Sequence, residues 1–286
     1  MSIDNLPDEL LREILSQVLH VSHPKFFIWS NIRPDPPSDS VPRSHVVLVN
    51  HRFLRIGIPI LYEAVRITNQ DTTKYIADIL SANATVGPAV RWLRLEGGYG
   101  RELELALKPM TAVESLYFSV DARARDSIAG VRRVLLKLDP LHVWLDRGSG
   151  RPNKHQPVLH PLLHHLVRRQ WTRLVRPSFL WACTTDAGRG MQKSIAFEDH
   201  WDVLAEPFVV ALRDAPALEE LSLDEADAVH WLGLGILQTI AENPRLVRIV
   251  CRGGPAVEHT LGLFFECLQV PERISGMFVF VQAVRR

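Results

Sequence analysis

Val90-Arg91-Trp92-Leu93-Arg94-Leu95 reads apolar-x-x-apolar-x-apolar, and the same pattern returns along the chain. It recurs as Val113-Glu114-Ser115-Leu116-Tyr117-Phe118 and as Leu138-Asp139-Pro140-Leu141-His142-Val143. It returns again as Leu218-Glu219-Glu220-Leu221-Ser222-Leu223 and Leu246-Val247-Arg248-Ile249-Val250-Cys251. Trp171-Thr172-Arg173-Leu174 fits halfway, because Arg176 takes the third apolar place. Pairs such as Leu93 and Leu95 share one face of an extended segment, so each copy predicts a short strand. The middle anchors at 93, 116, 141, 174, 221 and 249 stand 23, 25, 33, 47 and 28 residues apart.

Helical stretches precede most of these strands. Tyr75, Ile76, Ile79 and Leu80 form one; Leu103, Leu105, Ala106 and Leu107 form another. Phe208, Val209 and Leu212 form a third, and Leu234, Leu237, Ile240 and Ala241 a fourth. Pro88, Pro109, Pro140, Pro216 and Pro244 lie shortly before the anchors, where a proline stops a helix and turns the chain into a strand. A lone strand–helix unit cannot bury its apolar face, whereas stacked units can. The fold class expected is therefore α/β, a curved solenoid with a short-stranded parallel sheet. A non-repetitive α/β domain is the alternative. The shorter intervals match the leucine-rich-repeat period, and residues 66–286 resemble a degenerate leucine-rich-repeat domain. The long intervals mark loop-like insertions at 146–158 and 184–200, which serve as binding loops or as spacers. No polar capping repeat is evident after Val270, as if the series were cut short.

Ahead of the repeats, residues 6–19 read LPDELLREILSQVL. Leu10, Leu11, Ile14, Leu15, Val18 and Leu19 recur at helical spacing and make a broad apolar stripe. Pro7 suits the first helical position, and Asp8 and Glu9 complement the dipole of the first turn. A Pro-rich loop covers 23–43. A second helix is expected over about 44–57, with Val46, Val49, Phe53 and Ile56 along one side, and Gly57 and Pro59 ending it. The residues from Pro59 to Tyr62 would open a short third helix.

This N-terminal part, residues 1–65, resembles the F-box. The family's Leu-Pro-x-Glu-aliphatic start and following Ile-Leu are matched by Leu6, Pro7, Glu9, Leu10, Ile14 and Leu15. Its second half is matched by Val49 and Phe53, and its closing aliphatic–aromatic pair by Leu61 and Tyr62. Phe53 stands where tryptophan is usual, Asn50 where cysteine or serine is usual, and the Pro-rich loop lengthens the motif. The ensemble is similar to the large fungal F-box families. The resemblance implies that these ten residues dock a Skp-type adaptor and, through it, a cullin. The chain would then be the substrate-recognition subunit of an SCF-type cullin–RING ubiquitin ligase. A repeat-based interaction scaffold that never meets a ligase is the reading of a different class.

Composition agrees with a globular protein, and an enzyme is not expected because none of its motifs carries a complete catalytic set. Hydrophobic residues make up 47% and charged residues 23%, too apolar a balance for disorder. Cys183, Cys251 and Cys267 are odd in number and widely spaced, which fits buried thiols in a reducing intracellular setting, cytoplasmic or nuclear. The N-terminus has no basic leader pattern, and no apolar run reaches the roughly 18–20 residues that span a bilayer. Residues 90–180 hold 16 Lys/Arg against 8 Asp/Glu, and residues 181–286 hold 9 against 15. The basic stretch has no nucleic-acid-binding signature, so nucleic acid is not expected as a partner. Asp224-Glu225 follows a strand but no phosphate cradle accompanies it. Gly97-Gly98-Tyr99-Gly100 reads as a tight turn, and His160 and His164 lack the glutamate a zinc hydrolase needs. No cofactor or metal is expected.

The unknown protein substrate should meet the repeats. Counting outward from the anchors puts Trp92, Arg94, Tyr117, Ser222 and Arg248 on the face opposite the core, as residue types suited to interfaces. For Trp92 and Tyr117 a second placement is open, packed beneath a terminal loop.

Overall fold

The computed structural model describes residues 6–21, 26–27, 44–120, 127–146, 155–180, 207–224, 228, 231–232, 235–253 and 257–282. The chain divides into two compact units, the first comprising residues 1–117 with 129–134 and the second residues 118–128 with 135–286. Strands follow chain order in the sheet, β1-β2-β3-β4-β5-β6-β7-β8.

The first unit opens with a helical module. Helix α1 (Asp8–Leu19), α2 (Ser44–Val47) and α3 (His51–Leu61) enclose a core of Leu11, Leu15, Leu19, Val47, Phe53 and Ile56. The single helix expected over 44–57 is two. Asn50 is extended and its side chain accepts a hydrogen bond from the Phe53 amide at 2.8 Å, so a new helix starts there. Gly57 and Pro59 lie inside α3 rather than ending it. A Cβ at Gly57 would stand 2.5 Å from Val47 Cγ1 and 3.2 Å from Leu19 Cδ1. Glycine thus allows close helix packing here.

Three strand–helix segments follow. β1 (Ala64–Ile67) pairs in parallel with β2 (Trp92–Leu95), and α4 (Gln70–Ala82) connects them. Helix α5 (Glu102–Leu107) leads to β3 (Ser115–Ser119), and α6 (Ala129–Leu135) comes after it. The turn between β2 and α5 is the glycine-rich one. Gly98 has φ +69, and the Thr73 hydroxyl donates to Gly98 O at 3.1 Å and to Asn69 O at 3.0 Å. Residues 97–100 are all buried.

The second unit carries β4 (His142–Asp146), β5 (Arg176–Leu180), β6 (Glu220–Asp224), β7 (Arg248–Gly253) and β8 (Phe278–Gln282), each parallel to the next. Helices α7 (Gln156–His165), α8 (Ile236–Ile240), α9 (Val257–Cys267) and α10 (Glu272–Ser275) lie between strands, as does the helical stretch 207–213. Leu221, Leu223, Ile249 and Cys251 point inward and are at most 1% exposed.

Several expectations need correction. The anchors at 141 and 174 precede their strands; Val143 and Pro177 are the register partners that take the inward place. Trp171 and Leu174 are buried in the turn before β5, and Trp171 Nε1 donates to Leu135 O at 3.4 Å. β1 was missed although Tyr62, Val65 and Ile67 keep the same spacing; its two inward residues are Val65 and Ile67. A further unit, α10 and β8, follows Val270. Cys267 is exposed, while Cys251 is buried as expected; Cys183 lies outside the described residues. Most of the 146–158 insertion and all of 184–200 also fall outside them.

Candidate docking surfaces

Three apolar residues of α1 face inward and three do not. Leu11, Leu15 and Leu19 are at most 2% exposed, whereas Leu10 is 48%, Ile14 44% and Val18 46% exposed. The inner row already fills the module's core, so the outer row is surplus to it. Leu48 and Val49, in the turn between α2 and α3, are exposed by 69% and 66%. Exposed apolar side chains in this number make the module a candidate docking surface.

Ion pairs link the start of α1 to α3. Asp8 accepts from Arg52 Nε at 2.8 Å and from the Arg55 guanidinium at 2.7 Å, tying the start of α1 to α3. The Arg52 guanidinium also donates to the Leu6 carbonyl. These two arginines hold the Asp8 carboxyl below its ordinary value.

The ten residues expected at the adaptor separate into three groups. Pro7, Glu9, Leu10, Ile14 and Val49 are exposed, and Leu6, Leu61 and Tyr62 are half-buried. Leu15 and Phe53 are 1% and 8% exposed and belong to the core that supports the face, so they are corrected from contact residues to supporting ones. Leu61 packs against that core. Burial and the neighbouring Tyr75 push the Tyr62 phenol above its ordinary value. Glu9 borders an open groove with Arg12, Glu13, Ser16, Glu63 and Arg91. Val18 extends the outer row of α1 and was missed, although helical spacing from Leu10 and Ile14 reaches it.

The outward positions of the strands are corrected as well. Arg94 and Tyr117 are each 1% exposed and Ser222 is 2% exposed. In the first unit the cover is the segment after α1. Trp92, half-buried, has ring centroids of His20, Phe26 and Phe27 within 5.2, 6.2 and 6.3 Å. Beside it the Arg94 guanidinium donates to the carbonyls of Phe26 at 2.9 Å and Phe27 at 2.7 Å. That guanidinium also lies 3.7 Å from the Tyr117 ring centroid, a cation–π contact, and its Nε meets Glu96. Of the two placements open for Trp92 and Tyr117, burial beneath a terminal segment is the one observed. Parallel strands covered on both faces lose the polar alternation on which an outward count relies.

The second unit has a different face. Arg176 on β5 and Arg248 on β7 each place Nε 2.6 Å from a carboxylate oxygen of Glu220, the β6 residue between them. Glu220 is 5% exposed. Arg176 Nε is buried without an aligned hydrogen bond, so that contact is one of charge rather than direction. Arg252 stands two residues beyond Val250 on β7, half-buried; burial holds its guanidinium below its ordinary value, Glu220 opposes the shift and Arg176 adds to it. Ser222 is low on this face because a serine side chain ends below the tips of Glu220 and Arg248. Only Arg248, of the five strand residues expected to face outward, is substantially exposed, its side chain by 53%. Arg176, Glu220 and Arg252 were missed, though Arg176 announced itself by breaking the apolar pattern.

Among the described residues no group of three or more His, Cys, Asp or Glu side chains is gathered, and no helix is long and apolar enough to cross a membrane. Burial lowers the His164 imidazole below its ordinary value, with the Phe208 ring 5.6 Å away. No protein-family model matches the chain, and no curated protein does.

Proposed function

We propose that this chain is an F-box-type substrate receptor. Its helical module docks a Skp-type adaptor, and through it a cullin, while its strand–helix repeats hold a target protein for ubiquitin ligation. It performs no chemistry of its own; holding a target beside a conjugating enzyme raises the effective concentration of the target's lysines. The observation that carries the reading is the divided stripe of α1: one row of leucines completes a core and the other, Leu10, Ile14 and Val18, remains about half exposed. The residues of the F-box resemblance at 6–15 and 49–62 fall on that module, which supports the same reading.

Leu10→Asp tests it. A carboxylate carried into an apolar contact costs several kcal/mol unless it is paired, so binding to a purified Skp-type adaptor should vanish while the melting temperature stays near that of the wild type. Leu15→Ala is the contrasting variant: it should lose about 2–5 kcal/mol of stability as a core truncation. Unchanged adaptor binding in Leu10→Asp defeats the proposal and leaves the interaction-scaffold reading.

A further inference from the structure

We propose that the face of β2 and β3 bearing Trp92, Arg94 and Tyr117 is a peptide-binding cleft for an aromatic segment of a partner protein, and that the chain's own Phe26-Phe27 occupies it in cis until the partner displaces it. The ligand's chemistry is that of the segment in place: two consecutive main-chain carbonyls and two adjacent aromatic rings. The proposal rests on the reading of the repeats as the target-binding part and gives that part a ligand class and a gate.

The first ground is that the strands assemble the receiving surface without the segment. Glu96 holds Arg94 through Nε, and Arg66 holds Glu96 in turn with two hydrogen bonds of 2.9 and 2.7 Å. The Tyr117 ring supports the guanidinium from 3.7 Å. One terminal nitrogen remains for the segment, and it donates to Phe26 O at 2.9 Å and Phe27 O at 2.7 Å. A donor fixed before its acceptor arrives loses little freedom on binding. Glu96 already meets the charge of Arg94, so the acceptors need not be charged, and the two carbonyls are not.

The second ground is the contrast between the two faces of the same strands. The inward face is Leu93, Leu95, Leu116 and Phe118, all fully buried. The covered outward face is Trp92, Arg94 and Tyr117. A face that stays covered gains nothing from a guanidinium, since apolar residues in place of a buried ion pair are commonly neutral or stabilising. Trp, Arg and Tyr are instead the residue types that dominate binding hot spots.

The third ground is that the segment holds the face by contacts another peptide can copy. Phe26 and Phe27 meet edge to face at 4.8 Å, and both rings lie within 6.3 Å of the half-buried Trp92. Arg94 bonds only to its main-chain carbonyls. Phe26-Phe27 belongs to the connection between α1 and α2, and Phe26 stands seven residues after Leu19, the end of α1. Extended, that tether spans about 23 Å, so the pair can leave the face while α1 stays in place. Tethering also sets the effective concentration of the segment at about millimolar, which lowers the apparent affinity of any peptide arriving in trans.

The experiment passes the intact chain over bead-borne peptides, degenerate except at a central Phe-Phe, Leu-Leu or Ser-Ser pair, and compares the wild type with the double variant Phe26→Ser/Phe27→Ser. The variant should fold, with a melting temperature lower by several degrees for the lost packing. It should retain Phe-Phe beads about tenfold better than the wild type does, and about tenfold better than it retains the other two kinds. A variant that fails to fold would overturn the proposal, because the segment would then be core. So would no gain over the wild type, or equal retention on Leu-Leu or Ser-Ser beads. Capture confined to a peptide copying residues 22–31 would overturn it too, since the face would then accept its own segment alone. The adaptor assay on Leu10→Asp reads a different surface. Unchanged adaptor binding there defeats the receptor reading and leaves peptide retention standing, whereas absent retention defeats the cleft and leaves the adaptor surface standing.

Discussion

Removing the Arg94 guanidinium would take a donor from three groups at once: the carbonyls of Phe26 and Phe27 and the carboxylate of Glu96. Glu96 would keep Arg66, which reaches it through Nε and a terminal nitrogen at 2.9 and 2.7 Å, but the two carbonyls would keep nothing from Arg94. Breaking a buried, hydrogen-bonded charge at one partner costs about 3–5 kcal/mol. Arg94→Ala should therefore lower stability by that order in urea unfolding. Arg94→Lys should recover little, because an ammonium cannot reproduce the planar fork over the Tyr117 ring. Full stability in Arg94→Lys would show that charge alone suffices there. A sequence reader sees an arginine between two leucines of a strand and assigns it to solvent. Its burial follows from Phe26 and Phe27, some seventy residues earlier, which no local pattern connects to it.

Helix α3 shows the balance between local signals and packing. Asn50 acts as a local signal, and its capping bond separates α2 from α3. Gly57 and Pro59 are local stop signals that packing overrides. At Gly57 the neighbour is the β-branched Val47, which cannot swing away, so Gly57→Ala should destabilise by about 1–3 kcal/mol despite alanine's higher helix propensity. Asn50→Ala should cost about 1 kcal/mol through the lost cap. Chemical denaturation of the two variants checks both; a stabilised Gly57→Ala would contradict the close crossing. The start of α1 was legible from Pro7, Asp8 and Glu9, and Asp8 proves to serve a second purpose in holding Arg52 and Arg55. That purpose was not legible, because the partners lie 44 and 47 residues away.

At the scale of the whole chain, each strand depends on its neighbours. Ile249, Val250 and Cys251 of β7 are in register with Phe278, Val279 and Phe280 of β8, and Met277 and Phe278 are each 9% exposed. Repeat stability is largely a sum of such neighbour interfaces. Deleting residues 271–286 should lower the melting temperature of the second unit by several degrees and promote aggregation through the newly unpaired edge of β7. An unchanged melt with unchanged solubility would mean that β8 contributes nothing to its neighbour. The repeating anchors, the helices that precede them and the amphipathic α1 were all readable beforehand, since burial of one face imposes a period of two or 3.6 on a linear string. The direction of exposure was not readable. A period tells which residues share a face, but whether the opposite face meets water depends on what the distant chain lays over it. Leu10 and Leu11 look alike on the helical wheel; packing against Phe53 and Ile56 sends one into the core and leaves the other outside. Arg94 and Arg248 look alike in the repeat; only the segment at 26–27 makes the first a buried clamp, while the second stays half in solvent beside Glu220.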